Sequence, residues 1–209
     1  MWEVARQEIL QYILRNTEAA AGNLLAVHGR RPTIVRIASI VFCVAFIVTA
    51  TASAEQWQVF RDPDNVYSFA SPGPVHSRRH ELKSPEGISI ISTGQTFLVA
   101  NGKGACGVIK NAADNMVYPD DGAKQLAVTE RTKLAAQGIK PSSDEPLTVD
   151  GHPGWRQDFV DTAGALISDR RFVIKGDIFI VSCSIPASTS TDDKASIERF
   201  YKSFHFTNK

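Results

Sequence analysis

The side chains with reactive potential are few and scattered. Cys106 sits inside Gly102-Lys-Gly-Ala-Cys-Gly107, where Lys103 and Lys110 would favour a thiolate, yet no histidine stands near it in sequence to serve as its base. The same glycine cluster superficially suits a phosphate, but it lacks a Gly-Lys-Ser/Thr ending and no helix follows directly, so a hairpin turn is the better account. Asp158, Asp161 and Asp169 fall on two neighbouring strands across a tight hairpin, and a pair of carboxylates is what acid and base catalysis requires. Cross-strand ion pairs with Arg170 and Arg171 explain the same residues more simply. His76 and His80 stand four apart, which on a helix is metal-ligand spacing. On a strand they share a face but lie about 13 Å apart. Pro72 and Pro74 ahead of them favour strand or loop, so a metal would need His152 or His205 as well, and neither metal nor cofactor is expected. With Arg78 and Arg79 these histidines form a local basic patch that suits an acidic partner or lipid headgroups. The plainer account is an edge strand guarded by charge.

The elements that must position these residues belong to an ordinary globular chain. In 209 residues, 43% are hydrophobic and 22% charged, and 23 Lys and Arg balance 22 Asp and Glu. Disorder, collagen and coiled coil are excluded, as is a polybasic nucleic-acid binder.

Ile37-Ala-Ser-Ile-Val-Phe-Cys-Val-Ala-Phe-Ile-Val48 is an uncharged apolar run preceded by Arg30, Arg31 and Arg36 and followed by small residues ending in Ala52-Ser-Ala54. That order is a secretory signal: basic region, apolar core, and an A-x-A site with cleavage between Ala54 and Glu55. The rival is an uncleaved inner-membrane anchor through residues 37–54, just long enough to span. Cys43 follows Phe42 in mid-run, so no lipid anchor is expected. Residues 1–34 form an extended N-terminal segment with Glu3, Glu8 and Glu18, unlike a compact signal, and suggest a misassigned start, for example at Val35. The organisation is thus 1–34, a signal region 35–54, and one exported domain 55–209. That domain keeps Cys106 and Cys183. In an oxidising compartment they form either one disulfide, stabilising by roughly 4 kcal/mol, or two separate buried thiols.

Within the domain, Trp57-Gln-Val-Phe60, Val66-Tyr-Ser-Phe-Ala70 and 88–99 read as strands, with turn chemistry at Asp62-Pro-Asp-Asn65 and Ser84-Pro-Glu-Gly87. A helix spans Gly122 to Gly138, headed by Asp120 and Asp121, with Ala123, Leu126, Ala127, Leu134 and Ala135 mainly on one face. Strands follow at Leu147–Val149, Trp155–Val160, Ala165–Ile174 and Ile178–Ile185. Ser190-Thr-Asp-Asp193 caps a last helix through Phe200 and Tyr201. Trp57, Trp155, Phe172, Phe179, Phe200, Phe204 and Phe206 are expected in the core. The order is α+β with a mostly antiparallel sheet flanked by helices.

Trp57-Gln-Val-Phe-Arg-Asp-Pro-Asp-Asn-Val-Tyr-Ser-Phe69 with Pro72 and Pro74 resembles the opening of exported bacterial PsbP-like domains, which form an α/β/α sandwich. Val149-Asp-Gly-His-Pro-Gly-Trp155 resembles a later strand of that family, Arg170-Arg-Phe-Val-Ile174 with Ile178-Phe-Ile-Val181 its central hairpin, and Ile197-Glu-Arg-Phe-Tyr-Lys-Ser-Phe-His-Phe206 its terminal helix and strand. The likeness covers nearly all of 55–206, but its matched positions are turns and core. Asn65-Val66 departs from the family's usual Gly-Phe, as does the glycine-rich 101–107 segment. The resemblance implies a fold and carries no catalytic residue across. Understood members act as accessory or assembly proteins, which implies a non-enzymatic domain, periplasmic or secreted, that binds a protein or envelope partner. The alternatives are a small periplasmic enzyme using Cys106 or the Asp158, Asp161 and Asp169 carboxylates, and a membrane-anchored domain.

Overall fold

Period-two burial marks the strands. In Tyr67–Ser71 the residues Tyr67, Phe69 and Ser71 are buried and their neighbours half-exposed, the alternation of a strand with one face on a core. The computed structural model describes residues 56–83, 89–113, 121–188 and 190–207. The proposed signal, with Cys43, Ala52, Ala54 and Glu55, lies outside the described residues.

Among the described residues ten strands form two antiparallel sheets. A small one has the order β1-β2-β10, from β1 (Gln58–Arg61), β2 (Tyr67–Ser71) and β10 (His205–Phe206). The large one has the order β3-β4-β5-β9-β8-β7-β6. Its strands are β3 (His76–Lys83), β4 (Ser89–Val99), β5 (Gly104–Ala113), β6 (Ser143–Val149), β7 (His152–Val160), β8 (Ala165–Ile174) and β9 (Asp177–Pro186). Two helices flank them: α1 (Gly122–Ala136) and α2 (Thr191–Ser203). The architecture is α+β, but the single sheet of the sequence reading becomes two. Alternation identifies a strand without saying which partner it will choose, and β2 takes both β1 and the chain's last strand.

Register assigns the faces. Phe97, Cys106, Cys183 and Ser168 lie abreast across β4, β5, β9 and β8, so they share one face of the large sheet. That face packs on α2 and the small sheet, where Tyr67, Phe69, Phe97, Val108, Phe172, Phe179, Val181, Phe200, Phe204 and Phe206 make the main core. The opposite face, carrying Phe159 and Ile167, meets Leu134 of α1. Trp57 only borders the core, its ring 4.5 Å beneath the Arg199 guanidinium. Trp155 is not in this core at all. It lies on the α1 face and is half-buried, because Phe172 abreast of Gly154 fixes the parity of β7.

Local chemistry explains the element ends. Ser190 accepts the Asp193 N–H at 3.2 Å and donates to its carboxylate at 2.7 Å, capping α2 as expected. Asp121 does not cap α1. Its carboxylate accepts from Gln125 Nε2 instead, at 2.9 Å, and the first-turn N–H groups receive no bond from it. The buried stripe of α1 runs through Ala123, Ala127, Glu130 and Leu134, whereas Ala135, one residue and some 100° beyond Leu134, is exposed. Asn65 holds φ at 53°, a left-handed backbone that Asn tolerates, which accounts for a residue other than Gly at that turn.

The glycine-rich segment is a hairpin, with a turn at Ala100–Gly102 leading into β5. A Cβ on Gly107 would stand 2.2 Å from the Gln95 carbonyl oxygen, whereas one on Gly94 would meet nothing within 4 Å. Gly107→Ala is therefore expected to cost about 2 kcal/mol or more, by strain in a packed strand. Gly94→Ala should be neutral or gain about 0.5 kcal/mol, and urea unfolding of the two variants compares them directly.

The sulfurs of Cys106 and Cys183 are bonded, from directly opposed positions on β5 and β9, closing a loop of sequence separation 77. Reductant in the same unfolding experiment should lower stability by about 4 kcal/mol. Unchanged midpoints would contradict it.

Candidate functional site

Each reactive candidate has a definite place. Cys106 and Cys183 are 2% and 1% exposed among core side chains, and their disulfide leaves no thiol to act as a nucleophile. Lys103 sits beyond the hairpin turn. Lys110, on the core face of β5, is 3.3 Å from Asp177 and 3.8 Å from Asp64.

The three carboxylates do not converge. Asp158 and Asp169 lie on opposite faces of the large sheet, since Asp158 pairs in register with Ser168 and Asp169 with Gln157. Asp158 accepts from Ser168 Oγ at 2.6 Å and Arg156 Nε at 2.8 Å. Asp169 accepts from Ser182 Oγ and from Arg171 Nη2, each at 2.6 Å. Asp161 closes the β7–β8 turn, taking the Ala163 and Ala165 N–H groups at 2.9 and 2.8 Å. These carboxylates do not form the expected cross-strand ion pairs: Arg156 pairs with Asp158 within β7 and Arg171 with Asp169 within β8, because residues two apart share a face and arginine spans the gap. The other guanidinium, Arg170, stacks 3.5 Å over the Tyr201 ring. Burial pushes the Tyr201 phenol well above its ordinary value, and its hydroxyl donates to the Ser168 carbonyl.

Beneath α1 the sequence reading missed a polar network. Arg171, 3% exposed, donates to Gln157 and Asp169, and Gln157 donates to the Ala127 carbonyl of α1 at 3.1 Å and to Asp144 at 3.3 Å. Asp144 also accepts from Trp155 Nε1 at 2.6 Å and from Arg131 of α1. Burial by itself would raise the Asp144 carboxyl. The bonds from Arg131, Trp155 and Gln157, with the Arg131 charge, outweigh it and hold Asp144 below the usual carboxylate value. Among the described residues no buried side-chain nitrogen or oxygen lacks a hydrogen-bond partner, so the network is saturated and ties α1 to the sheet. The available signal was the period-two set Trp155, Gln157 on β7 and Asp169, Arg171 on β8, with Glu130 on the buried stripe of α1.

What faces solvent is β3. His76, Ser77, Arg78, Arg79, His80 and Glu81 are all exposed, on a strand whose sole neighbour in the sheet among the described residues is β4. Pairing runs unbroken from His76 opposite Thr96 to Lys83 opposite Ser89, with no bulge. Alternation puts His76, Arg78 and His80 on one face and Ser77, Arg79 and Glu81 on the other. Glu81 accepts from Ser89 Oγ at 2.9 Å. His152 and His205 are elsewhere: His152 packs edge-on against Phe206 and His205 lies 3.4 Å from Asp150. Among the described residues no three His, Cys, Asp or Glu side chains group as metal ligands.

Comparison with known proteins places little beside this chain. No family model matches it, and no curated protein does. Among solved structures, the solution structure of cyanobacterial PsbP (CyanoP) from Synechocystis sp. PCC 6803 superimposes with a TM-score of 0.49 at 15% identity, over 75% of this chain and 95% of that one.

The two carboxylate environments make separable predictions. Asp169→Ala strands a buried guanidinium and should cost about 3 kcal/mol or more, whereas Asp161→Ala, at a solvent-facing turn, should cost about 1 kcal/mol. For Asp144 the sign follows from its lowered folded-state pKa. Its contribution is complete above the unfolded value near ~3.9 and disappears as pH falls through the lower folded value. The drop in urea midpoint between pH 7 and acid conditions should therefore be smaller in Asp144→Asn than in the parent. An equal drop would refute the assignment.

Proposed function

We propose that this is an exported, non-enzymatic domain that binds a protein partner through the β3 edge of its large sheet. The observation that carries the reading is β3 itself: an outermost strand with a regular outer edge and six consecutive exposed residues, including His76, Arg78, Arg79 and His80. Export rests on the apolar run and the Ala52-Ser-Ala54 site, and the Cys106–Cys183 bond supports an oxidising compartment. In this reading cleavage after Ala54 releases the domain to the periplasm or medium, and an uncleaved chain stays at the inner membrane through residues 37–54. The enzymatic alternative is disfavoured by the same geometry, since its thiol is bonded and its carboxylates are divided between two faces and a turn.

The test is made in the native host, with a photo-crosslinking residue placed at Ser77 on β3 or at the exposed loop residue Lys140 as control. A discrete adduct at Ser77 that is absent at Lys140 is the expected result. Equal adducts at both, or none at either, count against the reading. Intact mass of the same protein after alkylation, with and without reductant, should give a chain starting at Glu55 whose thiols react only once reduced.

A further inference from the structure

The two ends of the large sheet are guarded differently. At one end β6 carries Pro146 in mid-strand, which removes a ladder donor and blunts that edge. At the other, β3 runs eight residues with no proline and no bulge, so its outer edge offers a regular series of backbone N–H and C=O groups. Among the described residues, charge alone guards it. Charge does not close an edge; it selects what pairs there, since opposite charges facing one another across a ladder attract and like charges repel.

The distribution of that charge is specific. Arg78 and Arg79 are consecutive and therefore present one guanidinium on each face of the sheet, with Glu81 two positions beyond Arg79 on its face. A strand laid alongside would meet a cation above and a cation below at adjacent positions. We propose that β3 takes an extended segment of a partner protein as an eighth strand, and that this segment carries two consecutive carboxylates opposite Arg78 and Arg79. This deepens the partner-binding reading and rests on it. Backbone bonds would supply affinity and the alternating side chains the selection, as in other cases of strand addition. A second copy of this chain is a poor donor. Pairing of two β3 strands centred on the arginines sets guanidinium against guanidinium. The consecutive carboxylates at the opposite end, Asp144 and Glu145 of β6, sit beside Pro146 and are already held by Arg131 and Arg156.

The experiment uses the protein as the cell makes it and two blocked, labelled ten-residue peptides of Thr and Val that differ only in a central Glu-Glu or Lys-Lys. Fluorescence anisotropy should show the Glu-Glu peptide binding about tenfold more tightly, the effect of two cross-strand charge pairs. Amide exchange should slow along 76–83 and nowhere else. The double variant Arg78→Glu/Arg79→Glu should reverse the preference, so a gain for the Lys-Lys peptide shows at once that the variant is folded. Equal binding of the two peptides, an unreversed preference, or protection away from β3 would overturn the proposal. So would binding to phosphatidylglycerol vesicles without amide protection, or a dimer formed through β3. If Ser77 still crosslinks a partner while the peptide preference is absent, strand addition fails and the partner-binding reading stands. If Ser77 gives no adduct, both fall.

Discussion

Three phenylalanines from three distant parts of the chain meet at the centre of the molecule, and the layers depend on that contact. Phe200 of α2 approaches Phe69 of β2 edge-on at 5.5 Å and Phe97 of β4 at 5.1 Å, while Phe69 and Phe97 stack at 5.7 Å. Offset and edge-to-face geometries are the favourable ones for aromatic rings, and each ring buries a large apolar area besides. The same contact fixes the small sheet over the large one, because β2 is held to α2 both here and where Ser203 Oγ accepts the Ala70 N–H at 2.8 Å. Phe204 at the end of α2 and Phe206 of β10 join the cluster. Loss of Phe200 would thus loosen the C-terminal helix, the N-terminal strands and the sheet between them together.

The two faces of the large sheet solve the burial problem in opposite ways. On the α2 side the solution is mainly apolar and includes the Cys106–Cys183 bond between the adjacent central strands, with Gln95 and Asp158 as bonded polar exceptions. On the α1 side much of the solution is polar, with Arg171, Gln157 and Asp169 all within 5% of complete burial. An isolated buried guanidinium would be costly, so its worth lies in geometry rather than in net energy: α1 must sit where the Ala127 carbonyl meets Gln157. An apolar face would tolerate a helix that slides. A network in which Gln157 must meet the Ala127 carbonyl and Asp144 together does not.

Much of this was legible in the residues, and the failures share a cause. Strands β8 and β9, the α2 cap at Ser190 and the charged edge at β3 followed from alternation, capping chemistry and composition, all of them local. The separate small sheet, the position of Trp155 and the buried Glu130 depend on partners far along the chain. Trp155 reads as core on size alone, yet the parity set by Gly154 against Phe172 turns it to the α1 face, where its N–H reaches Asp144. Asp158 and Asp169 looked like one cluster because eleven positions separate them across a hairpin. One step of register sends them to opposite faces. Parity is invisible until pairing is known.

The position of β3 gives the edge its character. Strands β5 and β9 are joined by a disulfide and β4 is paired along ten positions to β5, so the platform on which β3 lies is ordered before any partner arrives. Among the described residues β3 adds little to the core, since its described side chains are solvent-facing and β4 is its neighbour in the sheet. A rigid platform lowers the ordering cost of association on one side of the interface and leaves it to the incoming segment. The stability of this fold and the availability of its edge therefore come from different residues. The arginines at 78 and 79 are exposed and lie outside the buried core, so the charge of the edge can change while the core is kept, which is the condition under which an edge can be tuned to a partner.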